Sequence, residues 1–411
     1  MKKVMRKIFY YVELKNTSPI HIGNGDNTNT DLDVILDKEG MFYIPGSSMA
    51  GSILHYLNEE ERKLVLPELT IEGEKDKQTI QSPVFFSDAF MIKDDGDKQP
   101  SNIEKRDGIR LDANKVTIKN NKYDYEIVPR GNVFQWRIEV TDRTGQNDLE
   151  EIIEKVIGAI QNEEIKIGYK TTRGLGNLRV EKFGKKVFDQ GNIQEIFNFD
   201  PYEFDQYIDQ TVIIPKDYKR YTVIELDLAL RSGLSIRTYN TQKGVEDYEH
   251  IHSAGVPVIP GTSWNGLIRR CFDRYLNELN VSLNMDEIFG TASDNKIKSY
   301  IYVHEGVLDG TKEVTQTRIR INPFTGGTVN SALYQEKSCY KGNTTLKIMI
   351  DNRLNKNELD IIMKLFKIFV NDLNFGFAAL GGETSIGRGL FTVTEVKIDN
   401  EHVDWVVSEE C

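Results

Sequence analysis

Two glycine-rich stretches share one frame: Gly168-x-x-Thr171-x-x-Gly174-x-Gly176 and Gly381-x-x-Thr384-x-x-Gly387-x-Gly389. Glycine admits backbone angles that other residues avoid, so successive N–H groups can converge on a phosphate with no side chain in the way. Lys170, Arg173 and Arg388 stand beside these glycines, where they would add charge. A turn at a sheet edge would need the same glycines. Neither stretch contains Gly-Lys-Ser/Thr and no helical pattern follows closely, which excludes a nucleotide-triphosphate loop. A second repeated motif is Tyr43-Ile-Pro-Gly-Ser-Ser48, which returns as Val258-Ile-Pro-Gly-Thr-Ser263. In each copy a strand-like run stops at Pro-Gly and a helical pattern takes over. Ser47, Ser48, Thr262 and Ser263 are expected to cap free N–H groups there, and the helix starts at Gly46 and Gly261 would suit an anion such as a phosphate. Between the first strand and the first of these motifs lies an acidic loop with Asp26, Asp31, Asp33 and Asp37. A carboxylate can hold a divalent cation against a phosphate or orient an attacking oxygen. Solvated loop acids have the same composition.

Arg106, Arg110, Arg130, Arg318, Arg320 and Lys341 bracket two insertions and are candidate phosphate contacts. His250 and His252 alternate along a strand, so their side chains could share a face for metal or proton chemistry; ordinary strand positions explain them as well. The chain has 411 residues, 39% of them hydrophobic and 28% charged, which fits a globular protein of more than one domain. Its net charge of -11 argues against coating nucleic acid through bulk positive charge, so any polyanion site must be local. Cys271, Cys339 and Cys411 are too scattered for a disulfide framework or a zinc cluster and fit a reducing, cytoplasmic setting. Glu13 and Lys15 interrupt the apolar run after the basic start, and neither an export signal nor a membrane span is expected.

The elements that position these residues occur twice. Residues 7–16 alternate as a strand, and Tyr221–Leu230 alternates in the same way. The pattern predicts helices over 47–57 and 148–161, a strand over 177–180, and a second-half helix through Leu359, Ile362, Phe366 and Phe369. Pro45 and Pro260 lie 215 residues apart, Arg110 and Arg320 210, and Gly176 and Gly389 213. Landmarks in constant order and spacing indicate an internal duplication. Each half reads strand, helix, strand, insertion, strand, helix, strand, which predicts an α+β protein of two tandem ferredoxin-like domains. The domains are expected at residues 1–187 and 220–411, with a packed aromatic linker over 188–219. Both helices would lie on one sheet face, leaving the other open to a partner, as in RRM-like RNA-binding modules.

The pairing of hydrophobic-Ile-Pro-Gly-Ser/Thr-Ser with Gly-x-x-Thr-x-x-Gly-x-Gly resembles the RAMP (repeat-associated mysterious protein) superfamily of CRISPR systems. Pro19-Ile-His-Ile-Gly23, Phe86-Ser-Asp-Ala-Phe90 and Ile288-Phe-Gly290 resemble family signatures too. Because both halves carry the pattern, the chain resembles a tandem fusion of two type III effector backbone subunits, of the type III-D-like kind. The resemblance implies a thumb-like hairpin in each insertion, binding of CRISPR RNA, partnership with complementary target RNA and other type III effector subunits, and a role in antiviral defense. It extends the RNA-contact set to His21 and Arg269. It also implies cleavage of the paired target by an aspartate in the acidic loop, which falls on Asp31, with Asp33 close by. Asp31 would then hold a divalent metal, Mg2+ by preference. The same count back from Pro260 lands on Glu246, next to Asp247, in a half where His21-Ile-Gly23 has become Ser235-Ile-Arg237. Three other readings remain: an inert scaffold of the same complex, a processing endonuclease of precursor guide RNA using His21, His250 or His252, and a generic two-domain RNA-binding protein.

Overall fold

The computed structural model describes residues 3–69, 78–79, 81–92, 102–111, 117–143, 145, 147–212, 220–239, 246–291 and 297–407. Parts of the polar loop after residue 92 and the far end of the first insertion lie outside these residues, as does Cys411. The chain divides into two compact units. Residues 1–105, 124–171 and 175–218 form the first; residues 106–123, 172–174 and 219–411 form the second.

In the first unit, the opening strand Arg6–Asn16 buries Ile8, Tyr10, Val12 and Leu14 on one face because its apolar side chains alternate. It is the central strand. Val133–Asp142 pairs with it antiparallel on one side and Leu178–Asp189 on the other, while Val84–Phe86 and Ala89–Met91 pair with Val133–Asp142. Helices Gly46–Tyr56 and Asp148–Gln161 supply Met49, Ile53, Ile153, Val156 and Ile157 to the same core. Each such side chain contributes about 1.5–3 kcal/mol on burial. The helix predicted over 148–161 has those limits, and Asp148, Glu150 and Glu151 in its first turn suit its positive end.

The second unit repeats the plan. Tyr221–Leu230 is central, between Asn343–Asp351 and Phe391–Ile398, with Ile301–Val303 beyond Asn343–Asp351. Helices Gly261–Leu279 and Lys356–Phe375 bury Trp264, Ile268, Phe272, Phe366 and Phe369 against Ile224, Leu226 and Leu228. Both sheets therefore read fourth, first, third, second strand, the antiparallel ferredoxin-like order. The protein is an α+β chain with two such domains in tandem, and each half of the sequence contains an inserted strand pair: Glu104–Leu111 with Thr117–Ile127, and the hairpin Lys312–Ile321 with Thr328–Tyr340. The repetition reaches single hydrogen bonds. Ser82 Oγ accepts the Val84 N–H at 3.1 Å and donates to Val84 O at 2.7 Å; Ser299 Oγ treats Ile301 identically, at 3.1 and 2.7 Å.

Two features differ from the sequence reading. The strand expected to end at residue 180 continues to Asp189, because its whole length pairs with the opening strand as far as Arg6. The sheet face expected to be open in the first domain is covered: Phe199 packs on Phe9 at 5.0 Å, and Phe204 and Tyr207 pack on Tyr11 at 5.2 and 5.6 Å. Aromatic side chains after the last strand bury more area against the sheet than they would in water. Among the described residues, no helix is long and apolar enough to cross a membrane.

Candidate functional site

The glycine frames are occupied by the chain's own backbone. Gly176, at φ 81°, donates its N–H to Pro19 O at 2.8 Å; Gly389, at φ 72°, donates to Gly233 O at 2.8 Å. The N–H groups of Ile167 and Leu380 close each loop onto Gly176 O and Gly389 O, at 2.9 and 3.0 Å. A Cβ at Gly176 would lie 2.0 Å from Ile167 O, and one at Gly389 1.8 Å from Leu380 O. Backbone crossing, not phosphate approach, requires these two glycines. Thr171 and Thr384 open matching 3-10 turns, Thr171–Arg173 and Thr384–Ile386, and the Gly387 N–H closes the second turn onto Thr384 O at 3.1 Å. The N–H groups of Gly176, Gly387 and Gly389 are thus bonded internally, against the expectation that they converge on a phosphate. Gly174, at φ 94°, shares the left-handed backbone of Gly387.

The helix starts also differ from expectation. The N-cap residues are Pro45 and Pro260, and neither helix has a side-chain cap bond. Proline fixes the extended entry into each helix, which places the hydroxyl pairs inside the first turn rather than at the cap. The Gly46 N–H donates to Asp88 Oδ1 at 2.7 Å, and the Ser48 and Ser263 N–H groups turn back to Pro45 O and Pro260 O at 2.9 Å. A Cβ at Gly46 would lie 2.4 Å from Phe86 O, and one at Gly261 2.2 Å from Val303 O, so both glycines seat a helix against a strand. Ser47 and Thr262 remain exposed beside them.

Around the loops the two halves part. The carbonyls of His21 and Ser235 accept equivalent loop N–H groups, from Tyr169 at 2.9 Å and Gly382 at 2.8 Å. Lys170 at φ 53° therefore corresponds to Glu383 at φ 56°. The bridges Ile20–Val128 and Leu234–Cys339 likewise match Tyr125 to Glu336. In the first half, Lys170 Nζ sits 3.6 Å from the Tyr125 ring centre, and the His21 ring lies 6.2 Å from Tyr125 and 5.5 Å from Tyr169. His21 Nδ1 bonds Glu126 O at 2.7 Å, so that nitrogen carries the proton, and burial lowers the imidazole's pKa and keeps it neutral.

In the second half the same place holds ion pairs. Arg388 Nη1 lies 3.0 Å from both Glu336 and Glu383, Arg237 reaches each of them at 2.9 Å, and Arg318 reaches Glu383 at 2.9 Å. Burial alone would raise the Glu336 carboxyl; bonds and charges from Arg237 and Arg388 hold it below the ordinary range. The Arg388 side chain is 5% exposed, so the guanidinium expected beside a phosphate is committed to two carboxylates, and Arg318 is committed with it.

The acidic loops can now be compared. Asp33 is turned into its own loop, accepting the N–H groups of Thr28, Asn29 and Thr30 and the Thr30 hydroxyl at 2.8–2.9 Å; the backbone bonds, Asn29 foremost, lower its pKa. Asp31 is exposed. Its Oδ2 accepts the Asp124 N–H at 3.0 Å while its own N–H donates to Asp124 Oδ1 at 2.9 Å. In the second half Asp247 Oδ2 accepts the N–H of Gln335 at 2.8 Å. Asp124 and Gln335 each lie four residues before the bridging Val128 and Cys339, so Asp247 corresponds to Asp31. Glu246, the counted position, is bonded to the Thr315 hydroxyl at 2.6 Å. Among the described residues, no group of three or more His, Cys, Asp or Glu side chains is placed to hold a metal. The carboxylates of Asp31 and Asp124 are held side by side by these reciprocal backbone bonds.

The other expected contacts are dispersed. Arg106 belongs to the second unit and forms a buried pair with Glu305, one contact at 3.1 Å. Of Arg110 only the backbone, on strand Glu104–Leu111, is described. Arg130 is partly exposed in the turn before Val133, Arg320 is exposed on the second insertion, and Lys341 is exposed at φ 62° in the turn after it. Arg173 donates to Phe289 O at 3.3 Å; burial, then the charge of Arg269, pulls its pKa down to about 10. Arg269 pairs with Asp286 at 2.6 Å. His250 is fully buried, accepts the Ile236 N–H at Nδ1 (3.2 Å) and donates from Nε2 to Val258 O (2.9 Å). It is a strand residue with both nitrogens used. His252 pairs with Glu313 at 2.7 Å. Tyr125, Tyr169 and Asp124 were not singled out by composition; superposing the halves at the glycine frames is the signal that finds them.

The RAMP superfamily model matches residues 13–179 and again residues 234–392. The chain belongs to the RAMP superfamily and contains its domain twice. A cryo-EM structure titled "Type III-B Cmr-beta bound to cognate target RNA" contains a chain similar at 14% identity and TM-score 0.33, over 44% of this chain and 61% of that one. The likeness spans less than two thirds of that chain and carries no functional argument. No curated protein matches.

Proposed function

We propose that this chain is a CRISPR RNA-binding backbone subunit of a type III interference complex, acting in the cytoplasm with CRISPR RNA, complementary target RNA and other type III effector subunits. The observation that carries the reading is the double RAMP match on two halves that repeat one loop geometry. The first half cleaves guide-paired target RNA through Asp31. Its exposed carboxylate, fixed by the Asp124 N–H, supports this, as does the inward turn of Asp33. A divalent ion, Mg2+ by preference, would be held by Asp31 with Asp124 and would supply charge stabilisation at the scissile phosphate. The two carboxylates hold each other's backbone and so keep the loop's geometry against the insertion.

The test is the assembled complex with a complementary RNA target. Asp31→Ala is expected to abolish a cut that the parent complex makes, and unchanged cleavage overturns the catalytic assignment. Small RNAs co-purifying with the chain are expected to carry repeat-derived ends; their absence removes the central reading. A scaffold without chemistry is the second reading, favoured by the lack of a three-ligand metal group among the described residues. Guide-RNA processing through His250 is disfavoured because both its ring nitrogens are bonded inside the fold.

A further inference from the structure

We propose that Glu383 stands in for an RNA phosphate and closes the second half's glycine loop to RNA, while Lys170 leaves the equivalent loop of the first half able to hold one. The proposal rests on the RNA-binding reading above and deepens it, because it assigns the two loops of one chain opposite roles.

Three guanidinium groups converge on Glu383: Arg237 at 2.9 Å, Arg318 at 2.9 Å and Arg388 at 3.0 Å. Glu336 pairs with two of the same three arginines, so three positive charges face two negative ones. Each guanidinium meets Glu383 through a single nitrogen, and a cluster of such cations pairs with carboxylate and phosphate alike. Without the Glu383 carboxylate the cluster would hold three cations against one anion, an anion site beside a glycine loop. Glu383 sits at φ 56°, a backbone region that glutamate does not favour, so local conformation does not account for its presence. At the corresponding φ 53° the first half carries a cation, Lys170, over two tyrosine rings at 3.6 and 5.4 Å, and Tyr125 replaces Glu336. Tyr169 is 42% exposed beside it, a ring face on which an unpaired base can stack next to a lysine that meets its phosphate.

The experiment is fluorescence anisotropy of the full chain with a labelled single-stranded RNA across a salt series. Each phosphate neutralised adds about 0.7 to the slope of log affinity against log salt. Glu383→Gln is expected to tighten binding and steepen the slope by at least ~0.7, and Lys170→Gln to weaken binding and flatten it by ~0.7. Glu383→Gly, which suits the positive φ, removes the carboxylate with less backbone strain and is expected to match Glu383→Gln. If the parent and Glu383→Gln bind with one slope, the stand-in role is wrong while RNA binding stands. If the parent does not bind RNA, the RNA reading itself fails and takes this proposal with it. Unfolding of both Glu383 variants, seen as a lost thermal transition, would make the cluster purely structural and overturn the proposal.

Discussion

At the loop ending in Gly176 the chain surrounds Lys170 with His21, Tyr125 and Tyr169; at the loop ending in Gly389 it surrounds Glu383 with Arg237, Arg318 and Arg388. The backbones agree to the hydrogen bond, and the side chains have opposite charge at the matching left-handed position. The difference separates two kinds of constraint. Where backbone crosses backbone, only glycine fits and both copies keep it. Where side chains pack around the loop, each half has diverged, and there the halves can acquire different tasks.

Four experiments test how far the two halves differ. The largest effect is expected in the acidic loops: Asp31→Ala should slow target cleavage by the assembled complex at least ~100-fold, a loss typical of removing a group that stabilises transferring phosphoryl charge. Asp247→Ala should leave that cut in place; its loss would make the halves chemically equal. Next come Gly176→Ala and Gly389→Ala, each expected to cost about 4 kcal/mol in denaturant unfolding, since a Cβ would overlap a carbonyl and sit at positive φ. Gly387→Ala, with nothing within 4 Å, should cost only about 1 kcal/mol. Third, Arg388→Ala should destabilise by about 3 kcal/mol, because Glu336 stays buried with half its pairing gone. Lys170→Met should cost under about 1 kcal/mol, the worth of a partly exposed cation over a ring.

The fourth experiment reads a pH dependence. Burial holds the His250 pKa down to about 4, against 6.5 when unfolded. The unfolded chain therefore binds the extra proton below pH 6.5, and stability falls progressively from there toward pH 4. His250→Gln should remove that component from the pH profile of thermal unfolding.

The architecture was readable because alternation and helical spacing report burial directly: the helix at 148–161 needed nothing beyond its apolar positions. Partners distant in sequence were not readable. Arg388 beside a glycine loop looks like a phosphate contact until Glu336, 52 residues earlier, is brought under it. Counting back from Pro260 gave Glu246, and only the bond from Gln335 shows that Asp247 is the counterpart of Asp31. The hydroxyl pairs after Pro-Gly do not cap because proline holds the cap position and leaves them two and three residues past it, inside the first turn.

The central place of each domain's opening strand has a consequence for the order of assembly. Arg6–Asn16 lacks one neighbour until Leu178 onward has been synthesised, 162 residues later, and Tyr221–Leu230 waits 161 residues for Phe391. At about 5–20 residues per second each half spends on the order of ten seconds or more on the ribosome with an apolar strand lacking at least one neighbour. The duplication therefore also repeats a window of aggregation risk, and a pause in translation late in either half would lengthen it.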